Sequence, residues 1–104
     1  MLEIRLEKKG GNISLTALGH ARSAEYGKDL VCAAASTLFY TLADSLDQLG
    51  VEWIEKEFSP GNAKITVCDP KSKEVEVVFW TITQGFKLLE KNYKKNIAFF
   101  EMVG

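Results

Sequence analysis

His20 is the only histidine of the chain, and Cys32, one of two cysteines, follows it by twelve residues. A thiol and an imidazole are the working groups of a cysteine nucleophile and its general base. Gly27 and Asp29 stand between them, and Ser36 lies one helical turn beyond Cys32. Asp29 directly precedes an apolar, alanine-rich run. It suits a helix N-cap, its carboxylate accepting from the orphan N–H groups of the first turn. Cys32 then takes the third helical position, where those N–H groups and the positive end of the helix dipole favour a thiolate over a thiol. The same N–H groups are placed to hold the oxyanion of an acyl-transfer intermediate. Each residue also has a plainer role. A cysteine among alanines on an amphipathic helix is commonly a small core residue, a lone histidine is commonly bonded to backbone, and a serine inside a helix commonly bonds its own backbone. Position alone leaves both roles open.

The elements that must hold these groups can be read from periodicity. Leu2, Ile4 and Leu6 alternate with Glu3, Arg5 and Glu7, the period of a half-buried strand. The turn signal Lys8-Lys9-Gly10-Gly11-Asn12 follows, then Ile13, Leu15 and Ala17 alternate with Ser14 and Thr16 to complete a hairpin. Residues 19–28 show no period and read as a long loop that begins with Gly19 and His20. Val31, Ala34, Ala35, Leu38, Leu42, Leu46 and Leu49 form one apolar stripe at spacings of three and four, a helix of about five turns closed by Gly50. Val51, Trp53 and Phe58 alternate loosely before the turn Ser59-Pro60-Gly61-Asn62. Ala63, Ile65 and Val67 then alternate cleanly, giving a second hairpin. Residues 74–93 are rich in strand formers. However, Val75, Val78, Phe79, Ile82, Phe86, Leu89 and Tyr93 keep a helical spacing too long for a strand, so a helix is predicted. Gly85 inside it disfavours the helix by about 1 kcal/mol relative to alanine, which a close helix contact would explain. Ile97, Phe99, Glu101 and Val103 suggest a short last strand. The predicted fold is α+β in the order β-β-α-β-β-α-β, with an antiparallel sheet built from two hairpins plus the final strand and two helices packed on one face.

The 104 residues favour a single domain spanning 1–104. Thirteen basic and fourteen acidic side chains give a net charge of −1, which supplies no general attraction for nucleic acid. The first residues alternate charges rather than forming a signal peptide, and no apolar run approaches the ~20 residues needed to cross a bilayer. Two cysteines without a secretory signal suggest free thiols in a reducing compartment. One histidine and no CxxC pair cannot supply a zinc cage, so neither metal nor other cofactor is expected. Cys68, at a strand end, reads as structural. An exposed ring among Trp53, Trp80, Phe99 and Phe100 would point to self-association.

The run Gly19-His20-Ala21, followed by Glu25-Tyr26-Gly27-Lys28-Asp29-Leu30-Val31-Cys32-Ala33-Ala34-Ala35-Ser36, resembles the ribosomal-processing cysteine protease family, Prp. That family shows a GHA start, then GxDIVCAxxS, with twelve residues from His to Cys. Leu30 stands where Ile is usual. The resemblance implies a bacterial cytoplasmic cysteine endopeptidase that removes a short N-terminal extension from the large-subunit ribosomal protein numbered twenty-seven. It implies Cys32 as nucleophile and His20 as general base. Gly19, Gly27, Asp29 and Ser36 match the supporting or substrate-binding positions, and the family is homodimeric. An apolar groove beside the thiol is implied by its hydrophobic, aromatic-containing cleavage tail. The competing expectation is a non-catalytic, ribosome-associated binding or assembly module in which the same segment is a recognition loop.

Overall fold

A computed structural model describes residues 1–19, 30–59, 61–68 and 72–103 of the chain. The elements are β1 (Leu2–Lys9), β2 (Asn12–Leu18), α1 (Leu30–Gln48), β3 (Trp53–Ser59), β4 (Asn62–Cys68), α2 (Lys73–Asn92) and β5 (Ile97–Val103), in the predicted order. They make one five-stranded sheet in the order β3-β4-β2-β1-β5.

The two hairpins pair as alternation requires: Leu6 faces Leu15 across β1 and β2, and Ile65 faces Leu15 across β4 and β2. The final strand differs from the antiparallel expectation. β5 runs parallel to β1, with Leu2 opposite Ile97 and Ile4 opposite Phe99, so the sheet is mixed. Chain direction is the reason. A strand that follows a helical crossover points the same way as the strand before it. β4 and β1 are both antiparallel to β2, so β5, which leaves α2, must run with both.

The loose alternation of residues 51–58 also has a cause. The β3–β4 register shifts between Trp53 and Glu55. That irregularity lets Trp53, opposite Val67, and Phe58, opposite Ala63, face the helices despite their opposite parity.

Leu2, Ile4, Leu6, Ile13, Leu15, Ile65, Val67 and Ile97 cover the helix-facing side of the sheet and are buried. The stripe on α1 is broader than one line of apolar residues. Val31, Ala35, Phe39, Leu42, Ala43 and Leu46 are buried, while Leu49 is exposed at the helix end. Leu38 turns instead toward α2: a Cβ built on Gly85 would lie 2.7 Å from its Cδ2. The glycine inside α2 is therefore where the two helices approach. On α2, Val75, Phe79, Ile82, Thr83 and Phe86 are buried, and Tyr93, expected to end that stripe, is exposed. Ser72 caps the helix by accepting from the Val75 N–H at 3.5 Å. The other side of the sheet carries the Arg5–Glu3 and Lys64–Glu55 ion pairs and a Ser14–Thr66 hydroxyl bond of 2.8 Å, with the exposed Phe100 ring beside Arg5 and the exposed Met102. Among the described residues no helix is long and apolar enough to cross a membrane.

Edge strand β3 is fastened to α1 at both ends. The Asp47 carboxylate accepts from the Trp53 indole at 2.7 Å and from the Lys56 ammonium at 3.2 Å. These bonds, the indole first, hold the Asp47 carboxyl below its ordinary acidity range. At the other end the Phe58 ring meets Phe39 and Tyr40.

Candidate active site

Three elements converge at one end of the sheet. Gly19 follows β2 with φ +88°. It donates its N–H to the Gly61 carbonyl at 2.9 Å, tying the end of β2 to the β3–β4 turn. A Cβ there would come within 2.5 Å of the Met1 carbonyl oxygen. No L side chain fits both that φ and that neighbour, so glycine is needed where the chain leaves the sheet toward His20.

Cys32 is the third residue of α1, in its first turn, as the N-cap argument predicts. It is half-buried, and it forms no disulfide with Cys68, which is exposed at the end of β4. Cys32, Ser36 and Gly19 share a cleft of about 400 Å³ between the first half of α1 and the end of the sheet. Its other lining residues are the apolar Leu2, Ala17, Ala35, Phe39, Phe58 and Ala63, with Tyr40, Ser59, Gly61 and Asn62. None of these described lining residues carries a charge. A charged side chain among these described residues would lose hydration with no opposite charge from them to meet, so this part of the cleft suits an apolar segment.

Of the residues singled out from the sequence, Gly19, Cys32 and Ser36 are brought together. His20, Gly27 and Asp29 lie outside the described residues. Tyr40, Phe58, Ser59, Asn62 and Leu2 complete the cleft and were not singled out. For Tyr40 a signal was present, since Cys32, Ser36 and Tyr40 repeat at four-residue spacing on one helix face. Phe58 and Asn62 come from a hairpin whose approach to α1 no local spacing encodes. Among the described residues no three of His, Cys, Asp or Glu gather into a metal-binding group.

A half-buried thiol in the first turn of a helix, on a cleft whose described lining bears no charged side chain, in an α+β fold, is an arrangement of the cysteine-hydrolase class. The chain belongs to the family described as Cysteine protease Prp, whose profile matches residues 1–98. The ribosomal processing cysteine protease Prp of Mycoplasma genitalium is 34% identical over 87 residues, covering 84% of this chain and 86% of that protein. The Staphylococcus aureus protein of the same description is 26% identical over 98 residues, 92% of each. Among solved structures, the S. aureus protease Prp with a covalently linked product peptide superposes with a TM-score of 0.84 at 23% identity, covering 97% of this chain and 99% of that one. That likeness establishes the shared fold. SMU.848 from Streptococcus mutans gives 0.76 at 26% identity, covering 100% and 96%.

Proposed function

We propose that this cysteine protease removes a short N-terminal extension from the precursor of the large-subunit ribosomal protein numbered twenty-seven, in the cytoplasm, ahead of ribosome assembly. The observation that carries the reading is the Cys32 thiol in the first turn of α1, lining a cleft whose described residues are mostly apolar and bear no charge. The description of the relatives as ribosomal processing proteases supports the substrate class.

In this mechanism the Cys32 thiolate attacks the scissile carbonyl carbon, and first-turn N–H groups of α1 hold the oxyanion. The imidazolium of His20 protonates the amine as the C–N bond breaks. The thioester left on Cys32 is attacked by water, which gives its proton to His20. The C–S bond then breaks, releasing the carboxylate and restoring the thiolate. Gly19 and Ser36 line the cleft beside the thiol, Ser36 offering a hydroxyl one helical turn along it. Gly27 and Asp29 are assigned supporting roles on the family resemblance. The test is incubation with a peptide spanning the extension junction. Two products at the masses of a single cut are expected. Binding without turnover, unaltered when the thiol is removed, would favour the recognition module instead.

The same reading includes a homodimer, and the outer face of α2 supports it. Glu74, Val77, Thr81, Gln84, Leu88 and Lys91 recur at spacings of three and four, and all are exposed. Val77 and Leu88 are 49% and 62% exposed, and Trp80 beside them is 63%. In an antiparallel pair of α2 helices related by a two-fold axis between Ile82 and Thr83, Val77 meets Leu88 of the second copy. Glu74 then meets Lys91, and Thr81 meets Gln84. Such self-complementarity is what an isologous contact requires. Leu88→Glu should turn a dimer into a monomer by sedimentation velocity with an unchanged circular dichroism spectrum. A native chain that sediments as a monomer at high concentration would exclude the contact.

A further inference from the structure

Cys32, Ser36 and Tyr40 all line the cleft and follow one another every four residues along α1. A helix rises about 1.5 Å per residue, which places Tyr40 about 12 Å along the axis from Cys32. An extended peptide advances about 3.3 Å per residue. With its scissile carbonyl at Cys32, a peptide lying along α1 therefore brings its third or fourth residue from the cut to Tyr40.

Small side chains, Ala17, Ala35 and Ala63, line the cleft together with aromatic ones. Phe58 lies beside Ala63 across β3 and β4. The Tyr40 and Phe58 rings stack with centroids 5.0 Å apart and planes 19° apart. Phe58 is braced edge-on by Phe39 at 5.7 Å and 90°, and Phe39 is buried. This sequence of contacts starts in the core and ends at a ring that is 58% exposed. Phe58 covers one face of Tyr40, so the opposite face is a fixed, flat, apolar surface beside the substrate's path.

We infer that Tyr40 is a specificity-determining residue, a stacking platform for a planar apolar side chain three or four residues from the scissile bond. The inference rests on the proteolytic reading above, and it concerns a position remote from the residues flanking the cut.

The experiment uses a peptide series with a fixed scissile bond, in which each of five positions on either side is set in turn to Phe, Leu, Ala or Lys. The native protein should prefer Phe over Ala by about tenfold in kcat/KM at the third or fourth position of one side, mainly through KM, and reject Lys there. Tyr40→Ala should shrink that preference to about twofold or less and leave the preference next to the cut in place, while Tyr40→Phe should keep it. A preference that survives Tyr40→Ala, or an equal loss at every position, overturns the inference. The same peptides are also titrated onto the Cys32→Ala protein, with and without Tyr40→Ala, to read the preference as Kd without turnover. If the native protein cuts nothing yet this Phe preference in Kd depends on Tyr40, the proteolytic reading fails and the platform stands. If Kd shows no such dependence, the platform fails.

Discussion

Cys32→Ala protein should fold as the native chain does and lose cleavage of an extended precursor, kcat/KM falling on the order of 10⁴-fold or more. The expectation of intact folding comes from burial. Cys32 is half-buried at the edge of the core rather than inside it. Removing its sulfur leaves no sealed cavity and costs about 1 kcal/mol at most. The loss of activity comes from covalency: without a sulfur there is no thioester, and hydrolysis falls back on what the cleft and the first-turn N–H groups do for bound substrate. His20→Ala should have a loss of similar order, because the departing amine then lacks its proton donor. Cys68→Ala is the control and should leave cleavage intact, since Cys68 sits exposed at the end of β4 and does not line the cleft. Full cleavage by the Cys32→Ala protein would end the thiol mechanism.

Phe86→Ala should be the most destabilising single core truncation, lowering the unfolding free energy by about 3–5 kcal/mol. Phe86 is the largest of the fully buried side chains, and it sits one position beyond Gly85, where α2 approaches α1. A cavity there cannot collapse easily, because sheet and helices bound it. A small domain has about 5–15 kcal/mol in hand, so the variant should show a much lower urea midpoint and partial unfolding on mild warming. Phe86→Leu should recover most of the loss. Trp80→Ala, on the exposed face of the same helix, should shift the monomer's midpoint little despite removing a larger ring. Equal destabilisation by Trp80→Ala and Phe86→Ala, measured at monomeric concentration, would contradict this packing.

The elements were legible because each carries its own period. Alternation in 2–7, 13–17 and 63–67 marks strands, and threes and fours mark both helices. The same rule concealed some of the packing. A single stripe on α1 overlooked Phe39 and promoted Leu49, because this helix buries one side on the sheet and turns Leu38 to α2. The direction of β5 is not a property of its residues; it follows from the sense of β4, one helix earlier. At the site, the thiol in the first turn and the need for glycine at 19 could be anticipated from capping and turn chemistry. The pairing of Tyr40 with Phe58 could not, since the two rings meet across eighteen residues of chain and a register shift in β3.

The parallel pairing of β1 with β5 also has a consequence in time. β1 is made first, yet the Leu2 N–H donates to the Asn96 carbonyl at 2.9 Å and Leu2 pairs with Ile97. Leu2 lines the cleft, and the Met1 carbonyl backs Gly19. During synthesis the hairpins and α1 can form early, but β1 keeps an unpaired edge until residues 97–103 have left the ribosome. Leu2, which lines the cleft, is therefore held in place only once β5 has emerged. A nascent chain stalled before β5 would carry the Cys32 thiol without a finished place for substrate, which delays proteolytic competence until β5 has been made.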